Sequence, residues 1–224
     1  MPELHVLRVF CSPRGGGGNP LGVFLDGDEV SAGERQRVAA DLGFSETVFV
    51  DDAPAGALRI FTPAQELPFA GHPLVGTAWL LAREREPVAA LRPPAGEVPV
   101  RAEGGTTFAA GRPEWAPRFE FVQVATPGEV DRLTGPPGDQ GLVGVWAWLD
   151  EPAGRIRERV FAPGAGIAED EATGAAAVLL GAQLARPLDI RQGHGSRITA
   201  RPLANGMVEI GGRVELDGVG TYPT

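Results

Sequence analysis

Lysine is absent from this chain; apart from three histidines, every basic side chain is an arginine. No ε-amino group can therefore form a Schiff base with pyridoxal phosphate, and no P-loop lysine can meet a nucleotide phosphate. Cysteine is nearly absent too. Cys11 stands alone, so neither an internal disulfide nor a pair of thiols sharing acid and base roles can exist. Beside the first apolar strand it reads as a small packing residue. His5, His72 and His194 are too scattered for a zinc site, and no cysteine cluster replaces them; no metal is expected. No apolar run reaches the ~18 residues that span a bilayer. The segment from Met1 to Phe10 reads as a strand and lacks the basic start, long apolar stretch and cleavage site of a signal peptide. The expectation is a cytoplasmic protein with no membrane partner. A formal net charge of −9 argues against a uniform basic face, hence against nucleic acid as a partner, while leaving a local basic patch open.

What is present is a repeat. Arg59-Ile60-Phe61-Thr62-Pro63 leads through Glu66 and Gly71-His72-Pro73 into an apolar run from Gly76 to Ala82. One hundred residues later, Arg159-Val160-Phe161-Ala162-Pro163 leads through Glu169-Asp170-Glu171 into a run from Gly174 to Gly181. Each copy reads as strand, Gly/Pro-rich turn, helix. Two copies of one unit imply two similar lobes facing each other across a cleft, where small-molecule chemistry usually sits.

The rest of the pattern fits around that pair. Leu4 to Phe10 and Leu21 to Leu25 read as a hairpin-like pair around a glycine-rich turn. That turn is a poor phosphate loop, since neither a lysine nor a helix start follows it. Ser31 and Glu34 have capping-box spacing for a helix running to Leu42, with Gly43 as its stop. Pro73 suits the first turn of the next helix. Gly111 to Pro117 has the composition of a linker. The class is α+β, with mainly antiparallel or mixed sheet around a helix in each half. The N-terminal lobe covers residues 1–113. The C-terminal lobe covers 114–224, with a last strand that can return to the first lobe.

Three side chains stand out chemically. Glu46 opens a strand on the same pleat face as Val48 and Val50. It is either a solvated glutamate at a strand end or a partly buried one, and burial would raise its pKa toward that of a general base. His72 and Asp170 sit at matching positions before the two helices. Taken separately, His72 is a turn residue and Asp170 a helix N-cap worth about 1 kcal/mol. Taken together, they stand where two helix N-termini bring free N–H groups and positive dipole ends to one place, suited to a carboxylate.

Several stretches, in order, resemble the phenazine-biosynthesis PhzF-like family of isomerases, which share the diaminopimelate epimerase fold. They are Gly18-Asn19-Pro20, Leu42 to Val50, Arg59 to Pro63, Glu66 to Pro73, Arg159 to Pro163, Glu169 to Gly174, and Gln192-Gly193. The resemblance implies two lobes, each a barrel-like sheet around a central helix, and a cofactor-free isomerase working as a homodimer on a small carboxylate-bearing substrate. It implies that Glu46 is the acid/base that moves a proton between carbons of a cyclic substrate. His72 and Asp170 would bind and polarise that substrate. Asn19, Gly71, Gly174 and Ala175 are the implied substrate contacts. Glu171 stands where the family pattern has proline, and two further positions depart from that pattern: Ala175 replaces a serine, and Leu74 a common threonine. They motivate the alternative of a non-catalytic member that keeps the cleft and binds a small molecule or a protein.

Overall fold

The two near copies fold as the same unit. A computed structural model describes residues 1–138, 141–163 and 167–223. The first half opens with β1 (Glu3–Cys11) and β2 (Asn19–Phe24), antiparallel across the glycine-rich turn. Helix α1 (Arg35–Leu42) stops at Gly43, whose left-handed φ of 68° is a conformation glycine adopts without penalty. Ser31 does not cap this helix. Its hydroxyl donates to the Glu34 carboxylate at 2.7 Å, and Glu34 itself takes the N-cap position, because a turn from Ser31 to Glu34 precedes the helix. Next come β3 (Glu46–Asp52), parallel to β2, then β4 (Ala57–Phe61) and the two-residue β5 (Glu66–Leu67), each antiparallel to the strand before it. They lead into α2 (Gly71–Glu84). Short β6 (Ala90–Leu91), β7 (Val98–Glu103) and β8 (Thr106–Gly111) complete the half.

The second half repeats the order. After β9 (Glu120–Gln123) and the short helix α3 (Pro127–Asp131), β10 (Val143–Asp150) lies parallel to β9. Strand β11 (Arg155–Ala162) is antiparallel to β10, and β12 (Ile167–Asp170) folds back on β11, as β5 does on β4. Helix α4 (Gly174–Leu184) follows, then β13 (Leu188–Gln192), β14 (Ser196–Pro202) and the long β15 (Val208–Thr221). The fold is α+β with two lobes. Strand β15 hydrogen-bonds to β14 and β8 along its first part and to β1 along its second, so both halves share one sheet. The stretch read as a linker is not free: Pro113 to Trp115 forms a short 3-10 turn, and Trp115 packs against Phe69 with ring centroids 5.8 Å apart. An aromatic side chain of that size is better buried than solvated.

Helices α2 and α4 are apolar on nearly every side, and both are buried nearly all round. Helix α2 is wrapped by β1, β2, β3, β7, β8 and β15, while α4 lies on β14 and β15. Their N-termini meet. A Cβ added at Gly71 would lie 2.6 Å from the Cα of Gly174, and one added at Gly174 would lie 2.7 Å from the Cα of Gly71. Only glycine at both positions lets the two backbones approach this closely.

One charged side chain sits where a core residue belongs. Glu158 is 0% exposed on β11, between Trp146 and Gln192 on the neighbouring strands, and neither carboxyl oxygen has a hydrogen-bond partner. Burial pushes its pKa up to about 8. The folded state therefore holds a proton that the unfolded chain has released, and native stability falls as pH rises from the ordinary glutamate range to about 8. Glu158→Met, which fills the space without a charge, should stabilise the protein by about 1–3 kcal/mol at pH 8. In urea melts the gain should shrink as the pH is lowered toward 5. A gain independent of pH would show that Glu158 does not titrate in the fold.

Candidate active site

Four of the sequence-selected residues converge at the seam between the helices. Glu46 begins β3 with a side chain 15% exposed, which settles its two readings in favour of burial. His72 is not a turn residue ahead of the helix but its second residue, because Ala70 supplies the extended N-cap; its side chain is 4% exposed. The two side chains face each other, His72 Nε2 lying 3.4 Å from Glu46 Oε2, and neither atom has another partner. Asp170 ends β12 close enough for its charge to act on Glu46. Asn19 opens β2 and spans the gap. Its Nδ2 donates to Asp170 Oδ1 at 2.7 Å and to the Ala172 carbonyl at 2.9 Å, while its Oδ1 accepts from the Ser45 hydroxyl at 3.0 Å.

Asp170 is not the cap of α4. Thr173 holds that position, and its hydroxyl donates to Asp170 Oδ2 at 2.5 Å. Gln192, fully buried on β13, takes over the role of the cap: its Oε1 accepts from the Thr173 N–H at 3.0 Å, and its Nε2 donates to the Asp170 carbonyl at 2.9 Å. Thr173, Gln192 and Ser45 were not singled out by chemistry. The available signal was positional, since all three lie in or beside the stretches that carry the resemblance. Glu171, where the resembled pattern has proline, accepts from the His194 N–H at 2.9 Å and the Ser196 hydroxyl at 2.7 Å, and so pins the β13–β14 turn.

Protonation follows from burial. Loss of water raises the pKa of Glu46, and the negative charge of Asp170 raises it further. Asp170 is raised by burial as well, but its hydrogen bonds from Thr173 and Asn19 pull the other way. Of the two, Asp170 ionises first and Glu46 retains its proton. Burial lowers His72 to about 3, so the ring is neutral. A neutral imidazole keeps one acceptor nitrogen, and Nε2, which has no hydrogen-bond partner, is the one that faces Glu46. The helix starts add donors. The first intrahelical bonds run from the Leu74 N–H to Ala70 and from the Ala177 N–H to Thr173. The N–H groups of Gly71 and His72, and of Gly174, Ala175 and Ala176, thus have no acceptor within their helices. Among the described residues, no group of three or more His, Cys, Asp or Glu is arranged to hold a metal.

Such a pair of lobes with one acidic and one neutral basic group between them has relatives. The sequence profile of the phenazine biosynthesis-like (PhzC-PhzF) family matches residues 8–124 and 134–210. The chain belongs to this family. The trans-2,3-dihydro-3-hydroxyanthranilate isomerase of Pseudomonas aeruginosa is 34% identical over 219 residues, covering 79% of this chain and 78% of that protein. The crystal structure of a PhzF-family protein from Enterococcus faecalis shares the fold, with a TM-score of 0.80, 22% identity and 99% coverage of both chains. A protein from Pseudomonas aeruginosa described as a predicted epimerase matches with a TM-score of 0.76 and 25% identity over the whole of both chains. With relatives named as isomerases over most of its length, the chain is an isomerase of the family's type.

Asn19→Ala should remove two donors and the acceptor that receives the Ser45 hydroxyl. It should cost about 1–3 kcal/mol of stability in denaturant melts. It should also raise the Asp170 pKa further, as read by carboxyl NMR titration, because one of the two bonds opposing the burial shift is lost. An unchanged Asp170 titration would show that Asn19 only packs. Alanine at Gly71 or Gly174 should destabilise the protein by about 1–3 kcal/mol, since backbone rather than a flexible side chain must move.

Proposed function

We propose that this protein moves a carbon-bound proton within a small cyclic substrate carrying a carboxylate, with Glu46 as the acid/base and no cofactor. The observation that carries this reading is the pair formed by Glu46 and neutral His72, whose facing atoms lie 3.4 Å apart, buried and without a hydrogen-bond partner. In its ionised form the Glu46 carboxylate takes a proton from a substrate carbon, leaving the electron pair delocalised over the adjacent unsaturated system. The Glu46 carboxylic acid, whose proton exchanges with solvent, then protonates another carbon, and charge and atoms balance without an added reagent. Transfer by one positioned acid/base typically contributes 10²–10⁴-fold.

His72 and Asp170 orient the polar groups of the substrate in this scheme. The free N–H groups at the starts of α2 and α4 receive its carboxylate, helped by the two helix dipoles. The printed name of the P. aeruginosa relative, a dihydro-hydroxyanthranilate isomerase, denotes a cyclic amino acid and is in keeping with that guest. A homodimer, which rests on the family resemblance, and a cytoplasmic setting belong to the same proposal. Ala175 favours a second reading, since it brings no hydroxyl to the first turn of α4: a member that binds without turning over.

The test is exchange of carbon-bound protons in D₂O with cyclic amino and hydroxy acids. Wild type should exchange, and Glu46→Gln should lose exchange by at least about 10²-fold while still binding the same compound. Full exchange in Glu46→Gln removes Glu46 from the mechanism; binding without exchange in wild type supports the second reading. The pH dependence has a definite sign. Abstraction needs the carboxylate, so the rate should rise with pH through the neutral range, above the ordinary glutamate range, because Glu46 is shifted upward.

A further inference from the structure

Away from Glu46 and Asp170, three arginines stand side by side on one face of the second lobe. In the sheet register Arg157 on β11 is opposite Arg191 on β13, and Arg191 is opposite Arg197 on β14. Adjacent strands are about 4.8 Å apart, and like charges placed directly opposite each other are destabilising. The outer two are neutralised: Arg157 Nε lies 2.8 Å from Asp131 Oδ1, and Arg197 makes a two-pronged pair with Asp189 at 2.7 Å. Arg191, the middle one, is exposed and has no carboxylate partner among the described residues. It opens onto a groove of about 490 Å³, walled by Arg14, Ser12, Gly195, Ser196 and Arg197. Arg14 comes from the glycine-rich turn and also lacks a carboxylate partner among the described residues. This concentration of positive charge occurs in a chain whose formal net charge is −9.

We propose that this groove is a second ligand site, which takes a small polyanion, a phosphate ester or a polycarboxylate, between Arg14 and Arg191, the two arginines lining it that have no carboxylate partner among the described residues. Its size suits a metabolite, and guanidinium groups are the side chains best shaped for two-pronged capture of phosphate or carboxylate. An anion there supplies the counter-charge that Arg191 lacks and relieves the repulsion along the row. The site is distinct from the proposed catalytic one, for none of Asn19, Glu46, His72 and Asp170 lines it. The two are joined through one hydroxyl: Ser196 in the groove wall donates to Glu171, next to Asp170, and accepts from the N–H of Gly18, next to Asn19.

Calorimetric titration of the full chain with inorganic pyrophosphate and, separately, citrate tests the site. At low salt one or both should bind with one site per chain and weaken as salt is raised. Binding of pyrophosphate alone assigns the site to phosphate esters, and binding of citrate alone to polycarboxylates. Arg191→Gln should weaken binding at least about tenfold, the loss that goes with a charged hydrogen bond. Arg14→Gln, on a different element, should act in the same direction. Arg83→Gln, which removes the same charge from the end of α2, should leave binding within about twofold. Absence of binding by both probes would overturn the proposal, as would equal losses in Arg191→Gln and Arg83→Gln, which would reduce the effect to overall charge.

Discussion

Burial of carboxyl groups without a counter-cation is the constraint on which the rest of the candidate site depends. Elsewhere in this protein arginines sit against carboxylates: Arg8 with Glu215 and Asp217, Arg159 with Glu169, Arg101 and Arg201 with Glu209. Glu46 and Asp170 have no such partner among the described residues; Glu46 faces a neutral imidazole and has the Ser45 hydroxyl beside it. Removing water without supplying a positive charge favours the protonated carboxyl. A guanidinium in the same place would have fixed Glu46 as a permanent anion too weakly basic to take a proton from carbon.

That environment is held open by the meeting of two helices and by one amide. The contact of Gly71 with Gly174 brings both N-termini to the seam, where each contributes unbonded N–H groups. Asn19 supplies what neither lobe has alone. It reaches across 151 positions of sequence to hold Asp170, and its oxygen accepts from Ser45, the neighbour of Glu46. One side chain therefore fixes the relative placement of the two carboxyl-bearing strands. An alkyl residue there would take a bond from each of three polar groups, and a carboxylate would add a third buried acid. Gln192 does the equivalent work inside the second lobe by bonding the N–H of Thr173.

Much of this was legible before any coordinates. The strand–turn–helix repeat placed α2 and α4 within two residues of their observed starts, because apolar periodicity and Gly/Pro punctuation are local properties. The ordered stretches around Glu46, His72 and Asp170 carried the resemblance to the family that the profile match then established. Local signals failed where a longer-range interaction outbid them. Asp170 has the composition of an N-cap, but Asn19 and Thr173 claim its oxygens. Ser31 and Glu34 have capping-box spacing but bond each other before the helix begins. The linker-like segment is pinned by Trp115 against Phe69.

By itself the sequence determined the chemistry that was possible: no lysine, one thiol, scattered histidines, a repeated unit and an acid at the start of an apolar strand. Tertiary structure alone decided which groups share a space and in what protonation state. The 3.4 Å approach of His72 to Glu46, the orphaned oxygens of Glu158 and the row of Arg157, Arg191 and Arg197 all depend on sheet register and on burial. Distance and desolvation set the energy of a charge, and both are properties of how remote segments pack, which no local pattern of residues encodes.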